Sequence, residues 1–84
     1  MKKKTTEDQS NVFTTYDLGV SASLLTLGYK LKDLDRSNRR VLFIFEYKKG
    51  IEQSANKFFT DELRVKARSF FDNVKALKNK LYSD

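Results

Sequence analysis

The fold of this chain is decided by residues 40–47, which read RVLFIFEY. Successive side chains of a β-strand point to opposite faces. The apolar residues of this stretch divide into two such sets, namely Val41, Phe43, Phe45 and Tyr47 on one face and Leu42 and Ile44 on the other. Two apolar faces are typical of a central strand, or of a strand that a partner subunit covers. The stretch therefore predicts the middle of a β-sheet.

Two further strands are predicted on the N-terminal side of this one. Residues 12–16 are rich in β-branched and aromatic side chains, and residues 29–35 alternate roughly between apolar and charged positions. The segment from Asp35 to Asn38 has the composition of a turn. We therefore expect the second and third strands to form an antiparallel hairpin, within a three-stranded, mostly antiparallel sheet.

Helix A and a long C-terminal helix, helix C, are predicted to cover one face of the sheet. Helix A runs from Leu18 to Leu27, with Asp17 as its N-cap and Gly28 in the left-handed conformation that often ends a helix. A short helix B follows the third strand. Helix C carries one apolar seam with spacings of four and three, consisting of Leu63, Ala67, Phe70, Val74, Leu77 and Leu81.

A chain of 84 residues makes one domain. Residues 1–11 are charged and polar, which predicts a disordered tail, and residues 12–84 form a single α+β domain of order β-α-β-β-α-α. The predicted core consists of Leu18, Ala22 and Leu25 from helix A, Val41, Phe43 and Phe45 from the third strand, and Leu63, Ala67, Phe70, Val74 and Leu77 from helix C.

Several classes of function are excluded or disfavoured by the composition. The chain has no cysteine and no histidine, so thiolate metal sites and histidine-based catalysis are excluded. Three glycines are too few for a phosphate-cradling loop. We therefore expect no enzyme, no cofactor and no small-molecule substrate. No segment approaches the ~20 apolar residues that cross a membrane, so a cytoplasmic protein without a membrane partner is expected.

Helix C carries the strongest candidate binding surface. The net charge is +6, and the span from Leu63 to Tyr82 has six basic residues against one acid, Asp72. Five side chains with spacings of 4, 3, 4 and 3 fall within one arc of about 80°, namely Arg64, Arg68, Phe71, Lys75 and Lys78. Cations contact phosphates and an aromatic ring stacks a base, so DNA or RNA is the predicted partner. Alternatively, the cations are solvated and lay their stems along the apolar seam.

A second basic cluster is formed by Arg36, Arg39 and Arg40 in the predicted hairpin turn, with Lys48 and Lys49 at the far end of the third strand. Arg39 and Arg40 are candidates for a further nucleic-acid contact, because single-strand binders combine strand aromatics with loop cations. A solvated turn is the alternative. The two-faced third strand also keeps a different class of function open, in which the chain is a protein-interaction module or a homodimer with no nucleic-acid role.

Several short motifs carry a family resemblance. They are Phe13–Leu18 (FTTYDL), Leu27–Leu31 (LGYKL), Arg40–Glu46 (RVLFIFE), Phe58-Phe59, Val65–Phe71 (VKARSFF) and Leu77-Lys78. In these motifs the chain resembles a family of short bacterial proteins, often found near phage or mobile-element genes, that is known only as a domain of unknown function. The resemblance covers about residues 12–82. It implies a small single domain of bacterial origin and supplies no catalytic residue or ligand; the family's helix-C arginine falls on Arg68.

Overall fold

The computed structural model of the protein describes residues 11–83. Its elements in chain order are β1 (Val12–Thr15), α1 (Leu18–Thr26), β2 (Leu31–Asp35), β3 (Leu42–Glu46), α2 (Ile51–Phe59) and α3 (Ala67–Tyr82). The predicted α+β class and the order β-α-β-β-α-α are confirmed. The predicted tail, residues 1–11, lies outside the described residues apart from Asn11, whose carbonyl accepts a hydrogen bond from the Tyr47 amide at 2.9 Å.

The three strands form one antiparallel sheet of order β1-β3-β2. The prediction that the third strand is central is confirmed, as is the hairpin between β2 and β3. Phe45 pairs with Phe13 on one side and with Leu31 on the other. Cross-strand partners share a face, so these three side chains lie together on the face that meets the helices. The pairing of β2 is irregular between Leu31 and Asp33.

Helix α1 is enclosed by the rest of the domain. Its N-cap is Asp17, whose carboxylate accepts from the Val20 amide at 2.8 Å, and Gly28 follows its end with φ 101°. Five consecutive residues, Val20–Leu24, are buried. The helix packs against both α2 and α3. Close packing explains why its polar residues, such as Ser21 and Ser23, are small.

The core joins the sheet to all three helices. Its buried apolar residues are Val20, Ala22, Leu24, Phe43, Phe45, Ile51, Ala55 and Leu77, with Leu18, Leu25, Phe70 and Val74 packed against them. Three predicted core positions were wrong. Ala67 is exposed in the first turn of α3, and Val41 and Leu63 are only half-buried outside the regular elements.

The start of the C-terminal helix also differs from the prediction, because α3 begins at Ala67 and residues 62–66 are not helical. The amides of Glu62 and Leu63 both donate to the Lys57 carbonyl, so they close the end of α2. Asp61 has a left-handed φ of 64°, which turns the chain away from α2. Helix α3 has 16 residues and a length of about 24 Å. No helix among the described residues is long and apolar enough to span a membrane.

Candidate nucleic-acid interface

Helix α3 presents a row of basic and aromatic side chains on its outer side. Its inner side is fixed by buried Leu77 and by the side-chain amide of Asn73, which donates to the Thr26 hydroxyl at 2.9 Å. Four predicted site residues are exposed on the outer side of this helix, and the exposed Tyr82 continues their row. We call this set the α3 stripe: Arg68, Phe71, Lys75, Lys78 and Tyr82. At 100° per residue the stripe occupies an arc of about 80°.

Arg64 does not belong to the α3 stripe. The prediction that it lies on the C-terminal helix was wrong, because the helix begins three residues later. Arg64 is exposed in the extended segment of residues 62–66. Because Arg64 is not in the helix, the helical spacing does not place its side chain on the same side as that of Arg68. The continuous row of side chains therefore begins at Arg68.

The cations of the α3 stripe are largely without acidic partners. Among residues 11–83 the one ion pair joins Arg68 Nε to Asp72 Oδ2 at 3.6 Å, with both side chains exposed. Such exposed pairs contribute little to stability and leave the cation available. The Lys75 ammonium lies 5.3 Å from the centre of the Phe71 ring, and that ring is 57% exposed. The stripe therefore offers cationic groups beside an accessible aromatic face.

The loop between β2 and β3 builds a second basic and aromatic surface. Arg39 and Arg40 are both exposed there, and the Arg40 guanidinium carbon lies 4.4 Å from the centre of the Tyr16 ring. A surface cavity of about 590 Å³ lies between these groups and Asn38. We call it the loop cavity. Sequence reasoning assigned Tyr16 to a strand and Asn38 to a turn, and it identified neither as a site residue.

The loop is attached to the C-terminal end of α3. The Arg36 guanidinium donates to the carbonyl of Lys80 at 2.8 Å and to the carbonyl of Leu81 at 3.1 Å. The last carbonyls of a helix lack intrahelical partners and carry partial negative charge, so a guanidinium suits this position. The contact brings the loop to the end of the helix that carries Lys78 and Tyr82. The loop therefore lies beside the C-terminal end of the α3 stripe.

Asp17, which follows Tyr16, and Asp35, which precedes the loop, both accept hydrogen bonds from backbone amides. Asp17 accepts from the Val20 amide, and Asp35 accepts from the Ser37 amide at 2.9 Å. Hydrogen bonds from the Ser37 hydroxyl and amide lower the pKa of Asp35 below 3.8. Arg39 and Arg40 make no ion pair within the described residues.

No group of three His, Cys, Asp or Glu side chains suited to a metal ion occurs in the part of the chain that the structure describes. The side chains of the α3 stripe and the loop cavity carry guanidinium and ammonium groups, exposed aromatic rings and one amide. These groups bind anions and stack against planar ligands.

The fold and its exposed groups define a small α+β domain with two basic, aromatic surfaces. Over residues 10–83 the chain matches the family described as "Domain of unknown function (DUF5659)", and it belongs to that family. The resemblance to a domain of unknown function is thereby confirmed, while bacterial origin stays a prediction. Comparison with curated proteins gave no match. Comparison with solved structures gave none either.

Proposed function

We propose that this protein is a non-enzymatic domain that binds nucleic acid through the α3 stripe, with Arg39 and Arg40 as a second contact. The proposal rests on the exposure of Phe71, which lies between cations on a helix whose apolar side already packs against the core. Its neighbour Phe70 packs against the core, whereas Phe71 is 57% exposed. An exposed ring of this kind adds little to folding and supplies a stacking surface.

The position of Lys75 argues against the alternative of cations that merely flank the core. In that alternative, lysine stems lie along the buried seam and cover it. Here the Lys75 ammonium lies over Phe71, on the exposed side of the helix. The cation and the ring therefore present one mixed surface to solvent, which suits a ligand with both phosphates and planar bases.

Salt-dependent binding is the test of this proposal. We would titrate labelled single-stranded and duplex DNA and RNA by fluorescence anisotropy at about 50 and about 200 mM salt. The test variant replaces Arg68, Lys75 and Lys78 with Gln, which favours helix and removes three charges. Each lost phosphate contact lowers the salt slope by about 0.7 on single strands, so the variant's slope should be smaller by about 2.

A matched control removes the same charge from a different surface. Lys48, Lys49 and Lys57 are exposed and lie outside the stripe and the loop. Their replacement with Gln changes the net charge equally and should leave most of the binding intact. Equal losses of affinity in the two variants would show that binding depends on net charge and not on the α3 stripe. Absence of binding by the parent at low salt would refute the proposal.

The second candidate function is self-association as a homodimeric interaction module, and the edge strands favour it. The outer edge strand β1, VFTT, has no charge and a regular register, and no strand of residues 11–83 pairs with its outer side. The other edge, β2, has three charged residues and an irregular register, features that discourage pairing with another chain. Sedimentation equilibrium tests this function. A molecular mass that rises with protein concentration would support it, provided that Thr14→Lys returns the mass to the monomer value. A constant monomer mass would exclude it.

A further inference from the structure

We infer that the loop cavity is a subsite for one unpaired nucleobase, so that the protein prefers single-stranded to duplex nucleic acid. This inference rests on the proposed function and specifies its ligand. The lining groups are one aromatic ring, two guanidinium groups and one carboxamide, from Tyr16, Arg40, Arg39 and Asn38. Among residues 11–83, no carboxylate lines the cavity.

The fold builds the cavity from two distant parts of the sequence. Thr15 pairs with Phe43, so the residue after β1 lies beside the segment that enters β3. Tyr16 directly follows β1, and Arg40 approaches Tyr16 from the loop. The guanidinium carbon of Arg40 therefore lies 4.4 Å from the centre of the Tyr16 ring. The strand pairing and the Arg36 contact with α3 hold both sides of the cavity in place.

The lining groups match the parts of a nucleotide. The Tyr16 ring and the Arg40 guanidinium lie 4.4 Å apart, too close for a base between them, so a base stacks on the outer face of one of the two groups. This stacking tolerates any base because each base has a π-face. The Asn38 carboxamide has donors and an acceptor for a base edge, and the exposed Arg39 guanidinium suits a phosphate. A volume of about 590 Å³ is within the range of small-ligand pockets and accommodates one nucleotide.

A base must leave the double helix to use such a cavity. Bases in a duplex are stacked on their neighbours and paired, so their faces are not available to Tyr16 and Arg40. The α3 stripe contacts phosphates, which duplex and single strands both have. The cations of the stripe therefore supply affinity for both forms, whereas the loop cavity, like the exposed Phe71 ring, adds affinity for the single strand.

The experiment compares a short single-stranded oligonucleotide with a blunt duplex of the same sequence, at one salt concentration, using the full chain. Tyr16→Ala should weaken single-strand binding about tenfold and duplex binding less than twofold, because it removes one stacking platform. Tyr16→Phe keeps the ring and should bind like the parent. Arg40→Lys keeps the charge, loses the planar group and should also lower the preference for single strands. Tyr16 is 43% exposed and outside the core, so these variants should fold, which far-UV circular dichroism checks.

The outcomes separate this inference from the function on which it rests. If Tyr16→Ala and Arg40→Lys leave the single-strand to duplex ratio unchanged, while the Gln variant of the α3 stripe weakens both, the base subsite is refuted and nucleic-acid binding stands. If the parent prefers the duplex, the base subsite is refuted as well. If the parent binds neither oligonucleotide, the proposed function fails first and the subsite with it.

Discussion

The change Gly19→Ala should destabilise the protein, although alanine is the better helix former. Gly19 lies in the first turn of α1. A Cβ atom at this position would lie 2.5 Å from Cζ of Phe58 and 3.2 Å from Oδ1 of Asp17. Ordinary carbon–carbon contacts are about 3.5–4.0 Å, so the Phe58 ring must move by about 1 Å or more. The same methyl group crowds the carboxylate that caps α1.

The expected magnitude follows from two opposed terms. Replacing glycine with alanine in a helix gains at most about 1 kcal/mol, and less near the end of the helix. Overpacking costs about 1–3 kcal/mol. Phe58 is half-buried and packs edge-on against Phe59, so the ring has limited freedom to shift. We expect a net loss of about 1 kcal/mol in the free energy of unfolding.

Urea denaturation followed by circular dichroism measures this loss in a double-mutant cycle. Phe58→Leu removes the ring carbon that meets the new methyl group. In that background Gly19→Ala should become neutral or stabilising, with a coupling energy of about 1–3 kcal/mol. Gly28→Ala is the control, because its cost comes from a φ of 101° with no atom within 4 Å of the added Cβ. That cost should be equal in both backgrounds.

If Gly19→Ala raised the free energy of unfolding by about 1 kcal/mol in the parent background, the reasoning would be refuted, because Phe58 would then not lie against α1. A loss that persists unchanged in the Phe58→Leu background would also refute it. In that case the cost would arise at the Asp17 cap instead of at the ring.

The remaining predictions concern the core, the cap and one carboxylate. Phe43→Ala should lower the free energy of unfolding by about 3–5 kcal/mol, because Phe43 is 2% exposed. Near-UV circular dichroism should then show a largely unfolded domain at room temperature, and a melting temperature near that of the parent would contradict the place of Phe43 in the core. Asp17→Ala should lower the free energy of unfolding by about 1 kcal/mol, and Asp17→Asn by much less, because asparagine also caps helices; equal losses would contradict the cap. The pKa of Asp35, measured by NMR titration, should lie below 3.8 and rise towards it in Ser37→Ala. Because this pKa is lower in the folded state, the contribution of Asp35 to stability is present above about pH 4 and is lost as the pH falls through the folded pKa. The difference in free energy of unfolding between the parent and Asp35→Asn should therefore narrow below about pH 4, and a constant difference would contradict this prediction.

Those parts of the fold that depend on local pattern were predictable from the sequence. The two apolar faces of residues 40–47 identified the central strand. Asp17 and Gly28 marked the ends of α1 because capping chemistry depends on single residues near the helix termini. Apart from the error at Ala67, the sequence also placed Arg68, Phe71, Lys75 and Lys78 on one exposed side of α3, since a helix fixes which side chains share a side.

The parts that depend on contacts between elements were not predictable. Leu63 fits the helical spacing, yet its amide donates to the Lys57 carbonyl and closes the preceding helix. No glycine or proline marks this break, and the left-handed residue there is Asp61. Tyr16 and Arg40 meet only because β1 pairs with β3, and a pattern within either segment carries no information about that pairing.

The enclosure of α1 has a consequence for how the protein is made. Synthesis proceeds from the N-terminus, so the apolar residues of α1 leave the ribosome well before their covering partners. Ile51 of α2 and Leu77 of α3 both belong to the core around this helix. The nascent chain therefore carries an incompletely covered apolar segment until Leu77 has left the ribosome. Chaperone binding or aggregation at that stage would fall on residues 18–26, and the final helix ends the exposure.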